Sequence, residues 1–450
     1  MTSTPVDLNP AEAARVVTAV LAPLVAQGAI IRRPRATAWA ERHQTDRTAR
    51  KVLAGLRARH DGAPLVLRIG PRRLVVVTEP GDVQRLLEGS PEPFTPANSE
   101  KVGALRHFQP DGVLISTATD RRYRRPFNET VLRPEMPVHD DGAAFTDAVR
   151  RGAAALARQL HDSGGLDAST FTDTWWEIVL QVVLGPAARA DRELVDVLDA
   201  LRRDANWSWF HPRDDRLRAE LGRRIESYLA VPEPGTLAAA AHAAGPVTAP
   251  GQVPHWLFAF DAAGAATLRA LAVVAARPEV RARVLAEVAH GAEPARLPYA
   301  RACVLESLRL WPTTLVVLRD STGPTTWGER TLPGGTGFAV VSAFFHRDPD
   351  RLDHADGFAP EAWLDGRNNA DWGLVPFSGG PVSCPGRNVV LLVTSHLLAH
   401  LAAHDLRVER GRYLASDPLP ATMDHFGLRF GLRVDGSAPT VEGPERRSSA

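Results

Sequence analysis

Apolar residues recur at helical spacing through most of the chain, and alternate or run together only in short stretches, so the pattern predicts a mainly α protein with small β-sheets. From Asp7 to roughly His60 the pattern is helical. Residues 65–77 (LVLRIGPRRLVVV) then read as a hairpin, with Pro71 between two aliphatic runs. Helical spacing dominates from Asp120 to about Tyr228, with strong runs at 143–160, 171–184 and 216–229. The Gly- and Pro-rich residues 231–251 predict a loop. Pro254 then opens a long, almost uncharged helix to Arg277, where Pro278 ends it; with so few charges it should lie buried through the middle of the molecule. Further helices are expected over 279–290 and 298–310, the second stopped by Pro312. Residues 315–345 predict short strands around a PGGTG turn, 346–383 a Pro-, Asp- and Gly-rich meander, and 386–404 a last helix. The small, polar tail beyond Val434 is expected to be disordered.

Composition narrows the class. The 450 residues carry 53 Lys+Arg against 52 Asp+Glu, which argues against a nucleic-acid footprint, because phosphate binding leaves a basic excess. Length alone suggests two or three domains, but no composition break marks a boundary. We therefore read 1–433 as one domain, with 1–60 as its N-terminal helical region. Cys303 and Cys384 are far apart and lack CxxC spacing, which supports neither a disulfide framework nor a thiolate zinc site and points to a reducing, cytoplasmic setting. Residues 16–31 are apolar, yet too short to span comfortably and interrupted by Pro23, Gln27 and Gly28; they read as a core or interfacial helix. With the Arg-rich face that follows, 16–59 is the segment through which peripheral contact with an anionic membrane is conceivable.

The most informative stretch is 376–387, PFSGGPVSCPGR, which sets one cysteine among glycines just before a helix. A helix N-terminus aims free N–H groups at the sulfur and favours a thiolate, and Pro385 suits an opening turn. Gly379, Gly380 and Gly386 let backbone approach a flat macrocycle, and Phe377 can screen the sulfur from water. A lone cysteine in a loop is by default a buried structural thiol. The flanking residues change that reading. The stretch resembles the FxxGxxxCxG haem loop of the cytochrome P450 family, matched by Phe377, Gly380, Cys384 and Gly386. It departs at Val382, where the family usually has a basic residue for a haem propionate.

Other segments resemble the same family in order along the chain. Glu306 and Arg309, three apart on one helical face, resemble its ExxR pair, and His346-Arg347-Asp348-Pro349 resembles its NRDP-type turn. The meander arginine that usually completes the ExxR network is absent: Ala362 stands there, with Arg367 and His354 as the substitutes in reach. FDAAGAAT resembles the oxygen-activating AGx(D/E)T segment through Ala263, Gly264 and Thr267, small residues where dioxygen sits and a hydroxyl that orders water. Its acid is missing, because Ala266 occupies that place; Asp261, nearly two turns away, reads as a pocket or structural residue. Arg121 and Arg125 resemble the W/HxxxR helix, and Arg319 the arginine on the strand after ExxR, both propionate-binding in the family. His396, His400 and His404 share a helix face but lack the HExxH signature, and we read them as packing or solvated groups. PGGTG leads into a strand and makes no phosphate cradle.

The resemblance implies the P450 fold of the bacterial soluble type, with haem b between the central helix and the helix after the cysteine loop, and Cys384 as the axial iron ligand. It implies a monomer that takes electrons from a separate ferredoxin and ferredoxin reductase, and inserts one oxygen atom from O2 into a small, mainly apolar substrate. Pocket-lining residues are expected near 85–118 and 200–212, including Trp207, Trp209 and Phe210, and before Thr267. Ala266 keeps open a peroxide-driven oxidation, or an isomerisation or dehydration. Val382 and Ala362 keep open a non-catalytic partner of a biosynthetic enzyme.

Overall fold

Helix Ala249–Ala276 organises the molecule. The computed structural model describes residues 3–289, 295–369, 371–409 and 411–433. The tail expected beyond Val434 and the end of the predicted 279–290 helix therefore lie partly or wholly outside the described residues. By length and hydropathy this central helix could cross a membrane, but 72% of its apolar window is buried inside the protein. It packs against helices Ala168–Val183, Pro298–Leu310 and Arg387–Ala402, and these helices form the larger hydrophobic core. It starts earlier than Pro254 predicted. Pro250 already occupies the opening turn, where a missing N–H costs nothing, and Pro254 is carried inside the helix.

The expected loop over 231–251 also contains a helix, Leu237–Ala244. Its run of alanines is capped by Thr236, whose hydroxyl accepts from the Ala239 N–H at 3.1 Å, and it stops at Gly245, φ 148°. Alanine propensity and a good N-cap outweigh the flanking glycines and prolines. At the other predicted strand region, the ladder of Gly337–Val341 ends where Ser342 turns its N–H to Leu315 O and its hydroxyl to Thr314 O. SAFFH becomes the short helix Ser342–His346, which buries both Phe344 and Phe345.

The second core lies around a six-stranded sheet, in the spatial order Val6–Asp7, Leu65–Ile69, Arg72–Val76, Gly337–Val341, Val316–Ser321, Phe94–Thr95. The predicted hairpin pairs Leu65 with Val76 through Ile69 with Arg72. Strand 337–341 runs parallel to 72–76 and antiparallel to 316–321, which sets Arg319 opposite Phe338. Residues 16–27 form a helix with one π-helical turn. Val16, Val20, Leu24 and Gln27 are buried at steps of about one turn, and Val25 on the other side is exposed. This one-sided burial makes the segment a packing helix over the sheet.

Candidate active site

The cysteine loop is shaped by its backbone. Gly380 has φ +64°, and a Cβ there would lie 2.2 Å from Leu87 O, so only glycine fits. The Cys384 N–H donates to Phe377 O at 2.9 Å, closing the loop over the ring that the sequence assigns to shield the sulfur. Gly386 caps helix Arg387–Ala402, and the N–H groups of Gly386 and Arg387 point at the sulfur. Burial nevertheless raises the Cys384 thiol above its ordinary pKa, against those N–H groups and the Arg125 and Arg387 charges that lower it. In the protein alone, the helix terminus does not prevail.

Three arginines from two segments gather at this loop. Arg125 reaches it directly, donating from Nη1 to Ser383 O at 2.7 Å and from Nε to Glu129 at 2.6 Å. Arg121, one turn earlier on helix Ala118–Leu132, is buried and donates to Val113 O at 3.1 Å. Arg319, 3% exposed, donates to the hydroxyls of Ser90 (2.9 Å) and Ser378 (3.1 Å). Burial lowers the pKa of both Arg121 and Arg319 to about 10. Arg125 adds to this at Arg121, and Arg121 at Arg319. Among the described residues neither of these two has a carboxylate partner.

Glu306 and Arg309 are both fully buried and pair at 2.6 and 2.9 Å. The remaining Arg309 donors go to the carbonyls of His346, His354, Ala355 and Gly357 at 2.7–3.0 Å, so the pair ties the helix to the meander. The place of the missing meander arginine is not filled by Arg367, which pairs with Asp365 and Asp353, or by the His354 ring, which turns to Asp353 and Asn368. The substitute is Trp363, whose indole N–H donates to Glu306 Oε2 at 2.8 Å, while the Ala359 N–H meets Oε1 at 2.8 Å. The signal for it in the sequence is a tryptophan directly after Ala362.

On the central helix, Thr267 is fully buried and its hydroxyl donates to Ala263 O at 2.9 Å, while Ser307 donates to Ala266 O at 2.9 Å. At Gly264 the missing side chain makes room for an aromatic ring. A Cβ there would sit 2.7 Å from the Trp175 ring, whose N–H in turn donates to Phe260 O at 2.8 Å, so the glycine makes room for Trp175. Asp261 binds Arg202, a fully buried arginine of helix Arg192–Ala205 that also pairs with Asp199. Trp207, Trp209 and Phe210 are 52–87% exposed, and Trp207 lies under the Arg33 guanidinium. The aromatic contacts of this region are made by Phe108 and Phe258. Beside them His255 donates from Nδ1 to Gln109 Oε1 at 2.8 Å, a polar pair that a purely apolar reading missed. His396 binds Ala295 O and His404 packs on His161, and no metal-holding cluster occurs among the described residues.

Residues 261–403 match the cytochrome P450 family model. Cyclooctat-9-en-7-ol 5-monooxygenase of Streptomyces melanosporofaciens is 25% identical over 383 residues, covering 75% of this chain and 81% of that protein. The fold agrees with the structure of retinoic acid bound cyanobacterial CYP120A1 at a TM-score of 0.68 and 15% identity, over 84% of this chain and 93% of the other. Residues 261–403 thus resemble cytochrome P450s in sequence, and the chain has the fold of one. Other relatives match locally: the mitochondrial 1,25-dihydroxyvitamin D(3) 24-hydroxylase of Mus musculus is 32% identical over 161 residues, 34% of this chain and 30% of that enzyme. Ferruginol synthase of Salvia fruticosa is 32% identical over 180 residues, 36% of this chain and 35% of that enzyme.

The family implies a haem iron, and the residues present fit one. Cys303 is sealed in the core, whereas Cys384 is partly accessible on a loop whose glycines leave room, a Gly386 Cβ being 3.9 Å from the sulfur. The buried charges of Arg121 and Arg319 lack anions, and a dicarboxylate such as haem answers that need.

Proposed function

We propose that this protein is a cytochrome P450, a cytoplasmic haem-thiolate monooxygenase of one domain over residues 1–433 that acts as a monomer with haem b. It inserts one atom of O2 into a small, mainly apolar organic molecule, and a separate ferredoxin and ferredoxin reductase supply the electrons. The observation that carries the reading is Cys384 set at the start of helix Arg387–Ala402, with backbone N–H groups on its sulfur, Arg125 on the carbonyl of the residue before it, and Arg319, buried without a carboxylate partner, on Ser378 of the same loop.

Bound there, haem supplies the oxygen-activating chemistry. Cys384 would hold the iron, and Arg121, Arg125 and Arg319 the propionates. Phe377 and the closed loop would exclude water from the sulfur. Ala263 would leave space on the opposite side. Thr267, by releasing Ala263 O, would order water for proton delivery. The Glu306–Arg309–Trp363 network would act from a distance, holding the meander and the loop in register.

Reduced protein under carbon monoxide should show the red-shifted Soret band of thiolate ligation, and Cys384→Ala should lose it; a histidine-type spectrum in the wild type would refute the assignment. A second reading, peroxide-driven oxidation or a rearrangement that needs no delivered proton, is favoured by one observation. Ala266 offers no acid, and its carbonyl is already capped by Ser307. Turnover with ferredoxin and reductase, but none with peroxide, would dispose of the peroxide-driven form.

A further inference from the structure

Two cations, Arg319 buried and Lys101 half-buried, converge on one carbonyl oxygen. Lys101 Nζ donates to Leu318 O at 2.8 Å, and Arg319 Nη1 donates to the same oxygen at 3.0 Å; the other acceptor of Lys101 is Pro96 O at 3.3 Å. The two nitrogens are therefore within about 6 Å of each other, a separation at which like charges shielded from water repel strongly. The carboxylates nearby are already engaged elsewhere. Arg72 binds Glu100 at 2.9 and 3.1 Å and also takes Asp320, and Asp320 accepts the Ser99 N–H as well. Among the described residues, neither Lys101 nor Arg319 forms an ion pair. Desolvation pushes the Lys101 pKa well down and Arg319 adds to this, against the weaker pull of Asp320 and Glu100. Arg121 weighs on Arg319 in the same sense. With Asp320 and Glu100 drawn to Arg72, Lys101 and Arg319 make no ion pair of their own, and an entering anion would meet that unpaired charge.

We propose that Lys101 is a binding residue for the haem propionates, supplying the cation that Val382 does not. The inference rests on the haem-thiolate reading above. It places the missing charge on helix Ser99–Leu105, bonded to the carbonyl of the strand residue that precedes Arg319. A carboxylate carried by a substrate would have the same chemistry, and the test separates the two sources.

The test measures haem transfer from holoprotein to excess apomyoglobin, for wild type, Lys101→Met, Lys101→Gln and Lys101→Arg, each loaded with haem or with haem dimethyl ester. Loss of one charge-assisted bond should make Lys101→Met release haem about tenfold faster, with Lys101→Gln faster than wild type and Lys101→Arg close to it. With the neutral ester, all four should release at one rate. The midpoint potential of Lys101→Met should fall, because a positive charge near the iron favours the reduced state.

Release of haem by Lys101→Met at the wild-type rate would overturn the proposal; joined to weaker spin-state binding of retinoic acid, a carboxylic acid probe, it would give the cations to a substrate. A difference that persists undiminished with the ester would reduce Lys101 to a packing role and overturn it as well. Failure of the wild type to take up haem would sink the haem-thiolate reading itself, and is read separately from the Soret band of the same preparation.

Discussion

Trp363→Phe removes one N–H and keeps most of the ring. Trp363 is 8% exposed and Glu306 fully buried, so the Glu306 carboxylate has no access to water and depends on four donors: two from Arg309, the Ala359 N–H and the indole. Without the indole, Oε2 keeps only Arg309 Nε. A hydrogen bond to a buried charge contributes about 1.5–3 kcal/mol, and trimming a buried ring adds roughly 1 kcal/mol, so the substitution should cost about 2–4 kcal/mol in urea unfolding at pH 7. The same bond helps hold the Glu306 pKa below its ordinary value. A depressed carboxyl contributes stability that is present above its unfolded pKa of about 4.5 and is lost as pH falls through the lowered folded value. Trp363→Phe should therefore move the acid limb of the stability profile to higher pH. A cycle with Glu306→Gln isolates the pair and should give a coupling of about 1.5–3 kcal/mol. A loss at pH 7 below about 0.5 kcal/mol, the size of an ordinary surface change, or an equal loss when Glu306→Gln is already present, would show that the indole does not serve the carboxylate.

Asp82 is buried on helix Pro80–Glu88, and burial, against the pull of Arg85, raises its pKa to about 7. Because the folded pKa exceeds the unfolded one, its cost appears between about pH 4 and 7; Asp82→Asn should gain up to roughly 4 kcal/mol at pH 8 and little at pH 4, and equal effects at both would contradict the assignment. Gly264→Ala puts a methyl 2.7 Å from the Trp175 ring and should cost about 1–3 kcal/mol by thermal unfolding, most of it restored in a Trp175→Leu background. Asp261→Asn leaves fully buried Arg202 with Asp199 alone and should cost about 1.5–3 kcal/mol; a neutral result would mean that Asp199 suffices.

Most of the helical frame is legible in the sequence because periodicity and caps act locally, as in the runs that become Ala168–Val183 and Pro298–Leu310. The errors share one cause. Residues 231–251 and 342–346 carry loud local signals for loop and strand, whereas an alanine run behind Thr236 and a ladder ending at Ser342 decide the outcome. At the site, spacing leads to Cys384, Glu306, Arg309 and the arginines, because each belongs to an ordered segment. Trp363, Lys101 and the His255–Gln109 pair are illegible, since their partners lie 57, 217 and 146 residues away. Gly264 carries a second constraint that the sequence does not display. Its smallness suggests room for oxygen, and it also leaves room for Trp175.

The departures at 266, 362 and 382 differ in physical kind. An arginine at 362 would leave one carboxylate facing two guanidiniums in the interior; with Trp363 the buried pair stays neutral, and the donors left over on Arg309 go to carbonyls. A cation at 382 would sit on the cysteine loop itself, whereas Lys101 would bring its charge from the sheet side, beside Arg319. Among the described residues nothing comparable serves Ala266. It is fully buried, its carbonyl is taken by Ser307, and the nearest acid on its helix, Asp261, is engaged with Arg202. Functions that depend on holding the loop and the cofactor thus have replacements within reach, and the one that depends on passing a proton does not. On this reading the protein should load haem as readily as its relatives while the proton-dependent step limits turnover, so the solvent isotope effect on oxygen-driven turnover should be large, and should shrink in an Ala266→Asp variant.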